Sequence, residues 1–174
     1  MDAGIRLSEG WRGVRMPRFE EVLELTAGQI GLNIHIKGIG RDGSLLKHVC
    51  GLLVRHSLLN TAYASLDSEH DLKAALDYAP EIERACLVRQ DDSDISLEIA
   101  GRYGCKRIQF FRQVETRHIR QAHEMGILCN LFHSDDPADA LEYCRRGMDV
   151  ILTNCAHAMV AGGMRAMSRF GLQP

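Results

Sequence analysis

Met16–Lys37, MPRFEEVLELTAGQIGLNIHIK, decides how the rest of the chain is read. Its first half has the period of an amphipathic helix opened by Pro17. Gly28 and Gly31 break that period, and LNIHIK then alternates as a short strand. Successive strand side chains point to opposite faces. Asn33, His35 and Lys37 therefore share one face, and Leu32, Ile34 and Ile36 the other. An imidazole and an ammonium at the carboxyl end of a half-apolar strand suit an anionic group bound at the mouth of an α/β fold.

Outward from this stretch, strand and helix patterns alternate to the end of the chain. Strands are expected at Leu32–Lys37, Thr61–Leu66, Glu83–Arg89, Lys106–Phe111, Ile127–Phe132 and Asp149–Thr153. Helices are expected at Ser44–His56 with Ser44 as N-cap, and from Asp67 or Ser68 through Tyr78. Others follow at Asp94–Tyr103, Glu115–Met125, from Asp136-Pro137 to Arg146, and at Ala158–Phe170, the last weakened by Gly162 and Gly163. Gly104, Gly126 and Gly147 stand where three of these helices should stop. Six βα units with short connections imply parallel strands joined by right-handed crossovers. Either an open doubly wound sheet or a (β/α)-barrel satisfies that pattern. The loop Gly38–Gly43, GIGRDG, lacks the third glycine of a dinucleotide fingerprint, and no Walker loop is present. No Pro- or Ser-rich linker divides the 174 residues, so residues 1–174 are read as one domain.

Composition narrows the class. A net charge of −2 leaves no general basic field for a nucleic-acid backbone. No apolar run approaches the roughly 18 residues that span a bilayer, and MDAGIRLSEGWRG lacks the blocks of a secretory signal. Cys50, Cys86, Cys105, Cys129, Cys144 and Cys155 form no C-x-x-C pair, which fits reduced, buried thiols in a cytoplasmic protein.

Four segments, in order and at the right spacing, resemble the glycerophosphodiester phosphodiesterase family. They are the helix MPRFEEVLEL, the strand LNIHIK, the stretch AYASLDSEHDLKAALDYAPEIERACL, and IRQAHEMGILCNLFHSDDPADALEYCRRGMDVILTN. The resemblance is clearest over residues 16–154. It implies an α/β fold, a partial (β/α)8 TIM barrel of about six βα units that lacks the first two. It also implies metal-dependent hydrolysis of glycerophosphodiesters to glycerol 3-phosphate and an alcohol, a reaction of lipid metabolism.

That family carries a His-Arg-Gly motif, a Glu-x-Asp metal pair and a following His-Asp on its first two strands. None of these motifs precedes Met16, so no acid/base histidine is assigned and the chain alone is expected to be inactive. His35 stands at the position of a metal-binding Glu and is the candidate ligand for Mg²⁺ or Ca²⁺. Lys37 matches the family's lysine and is the candidate phosphate contact, while Phe132 and His133 stand at its Trp-Thr and are candidate substrate contacts. Asp67, Arg89 and Gln109 lie at strand ends as further pocket candidates. Asn154 replaces a family Asp, so a carboxylate role is lost there. Asp135 and Asp136 are read as caps of the helix opened by Pro137. His118 and His123, with Arg117, Arg120, Arg145 and Arg146, are read as helix surface. The implied ligand is a small glycerophosphodiester. Six strands leave two open sheet edges, so oligomer formation through them is expected. The alternative is a non-catalytic, degenerate barrel that binds a phosphorylated ligand or a protein partner.

Overall fold

The computed structural model describes residues 4–6, 8–40 and 42–169, with side chains through Gly162. Two short 3₁₀ turns, Gly4–Arg6 and Glu9–Trp11, lead into α1 (Phe19–Thr26). The units that follow are β1 (Leu32–His35), α2 (Ser44–Arg55), β2 (Ala62–Leu66), α3 (Glu69–Tyr78), β3 (Glu83–Cys86) and α4 (Ser93–Arg102). After them come β4 (Arg107–Phe110), α5 (Thr116–Glu124), β5 (Leu128–Leu131), α6 (Pro137–Arg145), β6 (Val150–Ile151) and α7 (Ala156–Arg169). Each expected strand and helix is present. The end expected at Phe170, and Arg41 of the GIGRDG loop, lie outside the described residues.

All six strands are parallel and pair in sequence order, β1 to β6. Asn33 and the residue after β6, Leu152, line the same cleft. Side chains from both ends of a sheet meet only if the sheet curls. The architecture is a half-barrel, a partial TIM barrel, with helices on its convex side.

The convex face and the helices enclose the core. Phe110, Ile108, Leu131 and Leu66 from the sheet pack with Leu72, Leu97 and Ile119 from the helices, all essentially inaccessible. Burial of that apolar surface is the main favourable term in folding. On the concave face the register places Ser65, Ala85, Arg107 and Leu128 in one row, and Gln109, Asn130 and Val150 in the next.

Helix ends follow local chemistry. Ser68 Oγ accepts the Asp71 N–H at 3.1 Å, Asp92 Oδ1 accepts Ile95 N–H at 3.2 Å, and Asp136 Oδ1 accepts Ala138 N–H at 2.7 Å. At the other end, Gly126 (φ +71°) and Gly147 (φ +104°) take the left-handed turn that closes α5 and α6. Ile127 N–H then reaches Ala122 O at 2.8 Å, and Met148 N–H reaches Tyr143 O at 3.0 Å.

Five expectations are corrected. Gly43, not Ser44, is the N-cap of α2, and Asp42 Oδ1 accepts the Ser44 N–H at 3.1 Å. Pro17 lies outside α1, which starts at Phe19 because the Glu21 carboxylate accepts the Arg18 N–H at 2.8 Å. His118 is buried rather than on the surface. Among the cysteines, Cys50, Cys86, Cys105 and Cys129 are buried, but Cys144 is exposed and Cys155 half-buried. Gly162 is no defect in α7: a Cβ there would lie 2.5 Å from Pro137 Cβ, so its absence lets α7 lie directly on the start of α6.

Candidate functional site

At the carboxyl ends of the strands the concave face opens into a cleft of about 370 Å³. Strand β1 supplies Asn33 and His35 and, just past its end, Lys37; β2 and its exit supply Ser65 and Asp67. The opposite wall holds Gln109, Phe111, Phe132 and Leu152, with Leu87 and Gln90 between. One wall is thus polar and cationic, the other aromatic and apolar.

The polar wall is ordered from below. Ser65 Oγ donates to Asn33 Oδ1 at 2.6 Å, which fixes the row beneath His35. His35 Nε2 lies 3.6 Å from Asp67 Oδ2, an imidazole facing a carboxylate at the cleft mouth. Deeper in the half-barrel, Asn130 Nδ2 donates to the Tyr63 hydroxyl at 3.2 Å, and the Arg107 guanidinium sits over the Tyr63 ring at 4.5 Å. Arg107 is itself held by Glu83 at 2.5 Å. Burial pushes the Tyr63 phenol above its ordinary pKa, against the opposing pull of Asn130 and Arg107. Phe111 and Phe132 stack at a tilt with centroids 6.0 Å apart, and Phe132 keeps 45% of its surface exposed.

Of the residues singled out in the sequence, His35, Lys37, Asp67, Gln109 and Phe132 come together in this cleft. His133 follows Phe132 across a cis peptide bond and packs its ring on Phe132 at 4.9 Å. It lines a separate open depression with Arg112, Ser134, Asp135, Asp136 and Asp139. Arg89 is turned aside and paired with Asp91 at 3.0 Å. Asp135 is not a helix cap. It accepts from Thr153 Oγ1 at 2.8 Å, Asn154 N–H at 2.7 Å and Asn154 Nδ2 at 3.1 Å, which tie down the exit of β6 and hold its carboxyl below the usual range. Asn154 therefore serves as a donor to Asp135. Ser65, Gln90, Phe111, Leu87 and Leu152 were not among the candidates. The period of two along a strand, from Asp67 back to Ser65 and from Gln109 on to Phe111, was the signal for Ser65 and Phe111.

A hard divalent cation takes about six oxygen ligands. Among the described residues Asp67 is the one carboxylate lining the cleft, and His35 adds a single nitrogen. The donors present do not by themselves fit Mg²⁺ or Ca²⁺.

No protein-family model and no curated protein matches the chain. Solved structures do. An Oleispira antarctica phosphodiesterase, solved in complex with the product sn-glycerol-3-phosphate, aligns with a TM-score of 0.78 and 18% identity over 92% of this chain and 66% of its own. A glycerophosphodiester phosphodiesterase from Agrobacterium tumefaciens aligns at 0.75 and 19% over 92% and 68%. One from Parabacteroides distasonis aligns at 0.67 and 18% over 86% and 65%. The fold is that of part of a glycerophosphodiester phosphodiesterase barrel. Across the glycerophosphodiester phosphodiesterase structures it resembles, these three included, the chain spans only 56% to 68% of the solved chain's length. In TIM barrels the carboxyl-terminal face of the strands is where sites are built. The cleft with His35, Lys37 and Phe132 occupies that face.

Proposed function

We propose that this chain forms the later six βα units of a glycerophosphodiester phosphodiesterase barrel, and that its cleft is the phosphate-holding wall of that site. The observation that carries this reading is the placement of His35 and Lys37, alternate residues leaving β1, in one cleft with the Phe111–Phe132 wall. Lys37 supplies a cation for a phosphate oxygen, and His35 and Asp67 supply a donor and an acceptor beside it. Phe132 faces the carbon portion of the ligand, and His133 borders the cleft from the next depression. The fold match to a phosphodiesterase solved with sn-glycerol-3-phosphate supports that ligand class.

Hydrolysis of a phosphodiester needs charge neutralisation on the phosphoryl oxygens and groups that move protons to and from the attacking and leaving oxygens. The cleft residues described here offer the first in Lys37 and lack the metal-binding carboxylates that accompany the second. In our reading catalysis therefore belongs to the complete barrel, whose remaining strands would join at the unpaired sides of β1 and β6. This chain by itself binds without turning over.

Calorimetric titration with sn-glycerol 3-phosphate tests the reading. Saturable binding is expected, weakened about 10- to 100-fold by Lys37→Ala, the loss of one hydrogen bond to a charged group. Binding unchanged in Lys37→Ala removes the cleft from consideration. With glycerophosphocholine and Mg²⁺ or Ca²⁺, no release of glycerol 3-phosphate is expected. Turnover that a chelator abolishes would show that the chain carries a complete metal-dependent site.

A further inference from the structure

At the opposite, amino-terminal end of the strands, three side chains from separate elements converge. His123 lies in the last turn of α5, Cys129 in β5, and Asp149 immediately before β6. Their ligand atoms all lie within 4.8 Å of one another, and this is the one such His/Cys/Asp/Glu group among the described residues. We propose that His123 Nε2, Cys129 Sγ and Asp149 Oδ2 form a binding site for a divalent transition metal of the zinc class.

The backbone holds the donors in place. The left-handed turn at Gly126 returns the chain from α5 so that β5 runs back beneath His123. Asp149 Oδ2 accepts the Cys129 N–H at 2.7 Å and lies 2.9 Å from His123 Nε2. The Cys129 thiol makes only long contacts, 3.9 Å to Ile119 O and 3.9 Å to Ile127 O, and burial beside Asp149 pushes its pKa up to about 12, so the metal must displace that proton as it binds.

Tetrahedral zinc with nitrogen, oxygen and sulfur at its usual bond lengths needs ligand atoms roughly 3.2–3.6 Å apart. His123 Nε2 and Asp149 Oδ2 stand 2.9 Å apart and all three atoms fall within 4.8 Å of one another, so side-chain rotations of about 1 Å bring them to that range. One sulfur, one nitrogen and one oxygen select a borderline-soft ion over Mg²⁺ or Ca²⁺. His123 and Asp149 are 40% and 30% exposed, which leaves the fourth position to water. On binding, the Cys129 S–H bond breaks, an S–metal bond forms, and the proton leaves to solvent. The ion would join the end of α5 to the starts of β5 and β6, and β6 is a two-residue edge strand.

Cobalt(II) is the probe, in a Cys144→Ser background that removes the exposed thiol on α6. One equivalent should bind with a thiolate-to-cobalt charge-transfer band in the near ultraviolet. Zinc at a hundredfold excess over Kd should raise Tm by about 5–10 °C. His123→Gln, at an exposed position that leaves the core intact, should abolish the band, and Cys129→Ser should do the same. His35→Ala in the cleft should leave it unchanged. Absence of the band, or a band of equal strength in His123→Gln, overturns the proposal.

Discussion

His118 and His123 stand five residues apart on α5 and meet different surroundings. His118 is 4% exposed, and its Nδ1 accepts the Glu115 N–H at 3.2 Å, satisfying an otherwise free donor at the helix start. Its Nε2 points toward Asp94 Oδ1 at 3.5 Å. His118→Ala should therefore cost about 1–2 kcal/mol in a urea titration, the loss of a cap and of packing together. His118→Asn should recover part of that, because an amide oxygen can accept the same N–H. In the sequence His118 looks like surface because it borders, rather than occupies, the apolar stripe of Ile119 and Ala122. His35 and Lys37 were legible for the opposite reason, since alternation along a strand leaves no choice of face. Arg89 was not legible, because its backbone (φ +52°) turns the side chain out to Asp91.

At the scale of elements, the helix stops at Gly104, Gly126 and Gly147 could be read directly, because only glycine takes that turn without strain. Gly126→Ala should destabilise the fold by about 1 kcal/mol, with Gly51→Ala, inside α2 at negative φ and with open space at its Cβ, as a control that should stabilise slightly. Asp136→Ala should cost about 1–2 kcal/mol, since Asp136 Oδ1 serves both Ala138 N–H at 2.7 Å and Asp139 N–H at 3.3 Å. Chemical denaturation read by circular dichroism measures all three. All the strands but β2, which ends at Leu66 as expected, were read too long at their carboxyl ends. Regular pairing of β1 stops at His35 and of β3 at Cys86, although Ile36 N–H still reaches Ser65 O at 3.1 Å and Leu87 N–H reaches Leu66 O at 2.9 Å. The chain turns there from sheet into the loops that carry the cleft, a tertiary effect that no local pattern encodes.

For the molecule as a whole, the pH dependence of stability is set from two sides. The Arg15 guanidinium, helped by the Arg18 N–H, holds the Glu21 carboxyl down at about 2, and Arg112 with Ser134 holds Asp139 below its usual range. A depressed folded pKa gives stability that is intact above the unfolded value near 4 and lost as pH falls through the folded value. The urea midpoint should therefore drop between about pH 4 and pH 2, and 0.5 M salt should reduce that drop because these pairs are exposed. On the alkaline side, burial pushes the Cys50 thiol up to about 11. Its contribution is intact below the unfolded thiol pKa of about 8.5 and lost toward pH 11. The alkaline decline should be shallower in Cys50→Ala. At this scale the alternation of elements and the order of the family-like segments made the barrel readable. The cleft's far wall was harder, because Leu87, Phe111 and Leu152 look like core residues until the sheet curls and brings them opposite β1.

The contact between Gly162 and Pro137 bears on how this sequence can drift. Every amino acid one nucleotide away from a glycine codon carries a Cβ, and here that atom would strike a rigid proline ring. Beyond synonymous changes codon 162 thus has no neutral neighbour, and an amino-acid replacement that survives there should arrive together with a change at codon 137.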